Sequence, residues 1–194
     1  LKNSKFLFLT RNPLSIANSY KNRWLNKFSS EYFLFRVSVI IKTYFLSYLD
    51  YYNEKKIILV KYEDIINNTT ETLKKICNHL NVDYCEEMNK NINTLFLDEK
   101  TKEHHENIDK KINKESLDKY LEELQKEEIE SLKYLLRDVI EFFGYTNSTL
   151  KPTRKLIKLE NKINRRVKYN RSNIKKFFLK LKYKISYIKY LISG

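Results

Sequence analysis

A helix-rich α/β fold with a parallel sheet is what the sequence predicts, on three observations. Two short, wholly apolar runs, Phe6-Leu7-Phe8-Leu9 and Ile57-Ile58-Leu59-Val60, read as strands buried on both faces. Helical periodicity fills the interval between them, the pattern of a right-handed crossover joining parallel strands. Only 2 Gly and 2 Pro occur in 194 residues, which leaves little room for tight turns and favours long helices.

The first run ends in Thr10-Arg11-Asn12-Pro13. Arg11 therefore falls at the carboxyl end of its strand, where ligands of open α/β sheets gather. Asn12 is suited to cap a helix and Pro13 to its first turn, so strand passes straight into helix. Ile16, Ala17, Tyr20 and Trp24 keep helical spacing to about Trp24. Ser19 lies on the same helix, on the order of 9 Å beyond Pro13 at 1.5 Å per residue. An arginine, helix-start amides and a nearby hydroxyl form a candidate phosphate cradle.

Asn26 to Ser30 reads as a connection into a longer helix. There Leu34, Val37, Ile41, Tyr44, Phe45, Tyr48 and Tyr52 make one broad apolar stripe suited to core packing. Past the second strand, Tyr62-Glu63-Asp64 holds a strand-to-helix turn. Asn68 then caps a helix with Glu71 at the reciprocal position, and Leu73, Ile76, Cys77 and Leu80 line one face. From Tyr84 to about Lys114 no period persists, and a long ordered loop is expected. Ser116 opens a short helix through Leu124. Ile129, Leu132, Leu136, Val139, Ile140 and Phe143 follow on one amphipathic helix that Gly144 is placed to end. A two-stranded sheet would be poorly covered by itself, so further strands are expected before Leu1.

Charge divides the chain sharply. Of its 38 Lys and Arg, 15 lie between Lys151 and Gly194 against Glu160 alone, and they carry the whole net charge of +14. The first 150 residues are balanced, so a boundary is expected near Lys151-Pro152. Within the tail, Phe177, Phe178, Leu181, Ile185, Ile188 and Ile192 form an amphipathic helical stripe. Three readings of that tail stand: contact with an anionic membrane surface, attraction to an acidic polymer, or packing on the domain with its lysines solvated. No nucleic-acid motif accompanies the charge, so nucleic acid ranks last.

Cys77 and Cys85 are too few for a disulfide framework and match no metal spacing, which favours a reducing compartment. No run of roughly eighteen uninterrupted apolar residues appears, and the first residues given are not patterned like a signal peptide. The expected location is the cytoplasm, with peripheral membrane attachment as the variant. His104-His105 could be ligands or a base, yet no third ligand stands at a familiar spacing, and no metal is proposed.

The pattern Arg11-x-Pro13, five residues, then Ser19-Tyr20 resembles the 3′-phosphate-binding motif of sulfotransferases that use PAPS (3′-phosphoadenosine-5′-phosphosulfate). Val60-Lys61-Tyr62-Glu63-Asp64-Ile65, leading to a helix that ends Asn78-His79-Leu80-Asn81-Val82, is similar to that family's second conserved-order stretch. Glu141-Phe142-Phe143-Gly144-Tyr145 resembles the close of its domain. The resemblance, which covers roughly residues 5–145, implies a three-layer parallel sheet of the P-loop nucleotide-kinase type. Residues 1–150 are then expected to be the C-terminal part of a sulfotransferase-like domain, with 151–194 the basic helical tail already marked by charge. It also implies sulfuryl transfer from PAPS to a hydroxyl or amine of a carbohydrate or small-molecule acceptor. Arg11 and Ser19 then become ligands of the 3′-phosphate, a grip that a guanidinium makes with two parallel donors.

Departures from the family pattern set its limits. Asn12 stands where the family has an acid. The Gly/Lys-rich loop that cradles the 5′-phosphosulfate is absent, and no catalytic base is assigned. This stretch of chain is therefore expected to be inactive alone, as half of a donor site. Lys100 to Asn107 is a candidate segment to close over the cofactor. The alternative is a non-catalytic sulfotransferase-like scaffold whose basic tail binds an anionic membrane or an acidic polymer.

Overall fold

A computed structural model describes residues 4–52, 56–89, 114–146 and 151–192, with side chains as far as residue 173. Strand β1 (Phe6–Thr10) runs into helix α1 (Pro13–Tyr20), whose last turn widens into a π-helical turn at Lys21–Leu25. The long helix α2 (Ser30–Leu49) leads to β2 (Ile57–Lys61), then α3 (Tyr62–Asn67) and α4 (Thr69–Leu80). Short helices α5 (Tyr120–Glu123), α6 (Lys126–Leu135) and α7 (Arg137–Phe142) precede α8 (Arg154–Ile192).

The two strands pair in parallel, Phe6 opposite Ile57 through Thr10 opposite Lys61, with α1 and α2 forming the crossover. The described residues hold this two-stranded sheet and no third strand. That leaves one difference from the expected doubly buried strand: Leu9 is 60% exposed and Phe6 and Leu7 are also open. Alternation of side chains across a strand puts Leu7 and Leu9 on the face opposite Phe8, and Phe6 shares the Phe8 face but stands at the open start of the strand. On the covered face Phe8 meets Tyr48 at 4.2 Å and Phe143 at 6.3 Å between ring centroids.

Helix α2 organises the core. Ser29 caps it, accepting from the Tyr32 amide at 3.4 Å, and Glu31 suits the positive end of its dipole. Phe33, Leu34, Val37, Ile41, Phe45 and Tyr48 are buried, whereas Tyr44 and Tyr52 fall off the expected stripe and face out. By length and composition α2 is apolar enough to cross a membrane, yet half of its apolar window is buried by other elements. Its Lys42 is buried too, paired with Asp138 at 2.9 Å.

The predicted single helix over 129–143 is two. Leu136 leaves the helical region (φ −111°, ψ 14°), and the Arg137 guanidinium donates to the freed Tyr134 carbonyl at 2.7 Å. The break lets Leu132, Leu135, Leu136, Val139 and Ile140 all reach the core, each almost fully buried. Gly144 does end α7, with φ +70° and a bond from the Tyr145 amide to the Ile140 carbonyl at 2.9 Å. At α4, Asn68 occupies the predicted cap position but its side chain makes no capping bond. Thr72 Oγ1 instead donates to the Asp64 carbonyl at 3.0 Å, which ties the start of α4 to α3.

Helix α8 lies along α2 in the same direction. Leu159, Ile163 and Val167 are buried in the common core, while Lys155 pairs with Glu31 at 3.0 Å and Arg171 with Asp50. Glu160, the tail's one acid, accepts from Arg137 and from the Tyr134 hydroxyl, both at 2.7 Å. This half of the tail is thus packed on the domain. The stripe from Phe177 to Ile192 lies beyond the described side chains.

Candidate functional site

Arg11 stands where the sequence places it, one residue past the carboxyl end of β1. Its guanidinium stacks on the Tyr62 ring, 4.7 Å from the centroid, and one terminal nitrogen donates to the Ser116 carbonyl. Its Nε is buried with no partner among the described residues. A buried donor of a permanently charged group left without an acceptor is costly. An anion at that position would satisfy it.

Asn12 caps α1 as predicted, its side-chain oxygen accepting from the Leu14 amide at 3.0 Å. Its own amide donates to Glu63 Oε1 at 2.7 Å. Two amides at the start of α1 are therefore already taken, one by a carboxylate, and Pro13 has none. The helix-start amides open to an anion are thereby fewer than expected, and the arginine is the charged donor at the end of β1.

Glu63 is the hinge of the site. Its second oxygen accepts from the Tyr145 hydroxyl at 2.9 Å, so one carboxylate joins the start of α1 to the turn after α7. Burial, and then the Glu63 carboxylate, push the Tyr145 hydroxyl far above its ordinary range, with Arg11 opposing. Tyr145 stays a neutral donor. The Lys61 ammonium sits over the Tyr145 ring at 5.1 Å, so Arg11 and Lys61 flank this phenol.

Residues 114–124 form a strap across α1. Besides the Ser116 contact, Ser15 Oγ donates to the Leu117 carbonyl at 2.8 Å, and the Asn18 and Asn22 amides both donate to Glu123. These bonds hold the Glu123 carboxyl below its usual range, the Asn18 amide most of all. Further along, Glu128 is 3% exposed and accepts from Lys21 at 2.5 Å, Ser30 at 2.8 Å and the Gln125 amide at 3.1 Å. Burial would raise its pKa, yet these bonds and the Lys21 charge hold it below the ordinary value.

Ser19, the second predicted ligand, is exposed near the end of α1. No hydrogen bond joins it to Arg11. His104, His105 and the segment Lys100 to Asn107 lie outside the described residues. Sequence reasoning missed the strap and the Tyr62 stack. Ser116 is 105 positions from Arg11, and no local pattern marks such a partner.

A strand ending in arginine, a proline-started helix, and a parallel strand turning through Tyr-Glu-Asp thus meet at the carboxyl end of the sheet. A family model described as "Sulfotransferase family" matches residues 1–87, a little under half of the chain, and over that stretch the chain is similar to that family. No curated protein and no solved structure matches it. The matched region contains Arg11, Ser19 and Tyr62-Glu63-Asp64, two of the three stretches that carried the resemblance. The third, Glu141 to Tyr145, lies beyond the match and meets Glu63 in space.

Proposed function

We propose that the chain serves a sulfotransferase that takes PAPS as donor, and that Arg11 and Ser19 hold the donor's 3′-phosphate. The observation that carries this reading is the buried, unpartnered Nε of Arg11 at the carboxyl end of β1. Bound PAPS would supply the sulfuryl group and leave as the 3′,5′-bisphosphate. The chain's own part is binding and orientation. Tyr62 fixes the plane of the guanidinium by stacking, and the Ser116 carbonyl fixes its far nitrogen, so the fork is set before the anion arrives. Glu63 keeps the neighbouring amide and the Tyr145 hydroxyl occupied, which leaves the arginine as the cationic donor. The acceptor is a hydroxyl or amine of a carbohydrate or small molecule.

Calorimetry with 3′-phosphoadenosine-5′-phosphate and with adenosine 5′-phosphate tests this. A charge-assisted contact contributes about 1.5–3 kcal/mol, so Arg11→Ala should weaken the bisphosphate by roughly tenfold to a hundredfold and leave the monophosphate unchanged. Equal binding of the two nucleotides by the parent chain would overturn the reading.

A further inference from the structure

The elbow between α1 and α2 carries an aromatic and basic surface that the donor site does not use. Two ring pairs flank the turn over residues 26–29: Tyr20 with Trp24 at 5.0 Å, and Phe28 with Tyr32 at 4.7 Å. Trp24, Phe28 and Tyr32 are nonetheless exposed, Trp24 by 53%. Burying such rings inside a protein is the rule, and leaving three outside at one turn marks a contact surface. Cations are laid directly on them. The Arg23 guanidinium sits over Trp24 at 5.3 Å and the Lys27 ammonium over Phe28 at 5.7 Å.

The elbow's own segment is basic, although Lys21 is paired with Glu128 and Glu127 and Glu130 lie beside Ser30 and Glu31 on the side away from its tip. Residues 19–36 hold Lys21, Arg23, Lys27 and Arg36 against Glu31 alone, and Glu31 is answered by Lys155 of α8. Aromatic rings with basic neighbours at the tip of a helical elbow match the headgroup zone of a bilayer. There amphipathic rings settle at the boundary and lysine and arginine meet anionic lipid. A flat sugar ring fits less well, because Arg23 already caps a face of Trp24. We propose that this elbow docks on an anionic lipid bilayer, with Trp24 and Phe28 entering the headgroup region and Arg23 and Lys27 facing lipid phosphates and carboxylates. The proposal stands apart from the donor site and from the far end of the tail.

Trp24 is the chain's one tryptophan, so its emission reports on the elbow and nowhere else. The 194-residue chain is titrated with phosphatidylcholine vesicles, alone or mixed with phosphatidylserine, and again with brominated acyl chains. Expected are a blue shift and bromine quenching that require phosphatidylserine. The double variant Arg23→Gln/Lys27→Gln should partition roughly thirtyfold more weakly, from the contribution of each basic residue near an anionic surface. Both side chains are exposed, and circular dichroism verifies that the double variant keeps the parent's fold before partitioning is compared. Vesicle sedimentation with unmoved Trp24 emission would overturn the proposal, since another surface would then be binding. So would no sedimentation, or a Trp24 response to a soluble sulfated polysaccharide with none to vesicles.

Discussion

Glu63 does with one carboxylate what the sequence spreads over three segments. It accepts from the Asn12 amide and the Tyr145 hydroxyl, and both donors sit beside Arg11. Glu63→Gln keeps the shape but turns one acceptor into a donor. One of the two contacts must then face a donor with a donor, a cost of about 1–3 kcal/mol. Urea unfolding should show a lower midpoint with an unchanged slope, and Tyr145→Phe should cost less, since it deletes one bond and strands no charge. Arg11→Lys is a second residue-scale prediction. Lysine keeps the charge but loses the planar fork that Tyr62 stacks and Ser116 holds, so bisphosphate affinity should fall nearly as far as in Arg11→Ala. Parent-like affinity in the lysine variant would show that charge alone is read there.

Among elements, the features legible in the sequence were those set by neighbours in the chain. The apolar runs gave β1 and β2 and their parallel pairing, Asn12 gave the cap of α1, and Gly144 gave the stop of α7. Each rests on a steric or hydrogen-bonding preference a few residues wide. The break at Leu136 was not legible, because the 129–143 period suits one helix equally well and only the core's shape divides it. Nor was the strap over α1, whose partners lie some hundred positions away. Gly144→Ala tests the local kind of reasoning. An added Cβ would meet nothing nearer than the Lys61 ammonium at 3.7 Å, so space is ample and the cost is backbone strain at φ +70°, roughly 1–2 kcal/mol. Ile163→Ala tests the other kind. Fully buried between α8 and its neighbours, it should lose about 2–5 kcal/mol. A loss under half a kilocalorie, read by thermal melting, would mean that α8 is not part of the core.

For the whole molecule, pH is the informative variable. Glu128 and Glu160 are both held below the ordinary glutamate range, in each case by bonds and charges that outweigh burial. A depressed carboxyl adds stability above its unfolded pKa and loses it as pH falls through the folded one. Melting temperature should therefore be steady near neutrality and drop on acidification below about pH 4. Glu128→Gln should melt lower at pH 7, having stranded Lys21, but show a shallower acid slope. An acid slope identical to the parent's would place the titrating groups elsewhere.

The parallel seating of α8 on α2 has a consequence for encounter. From Lys151 to Arg171 the tail carries nine cations against Glu160, and the residues before them are neutral in sum. Fixed to one flank by Leu159, Ile163 and Val167, that charge makes the molecule a permanent dipole. At low salt, where screening extends to about 30 Å, a polyanion or charged sheet will turn it before anything touches, whereas at physiological salt the turning is confined to about 8 Å. Orientation thus precedes affinity, and low ionic strength should speed association far more than it slows release.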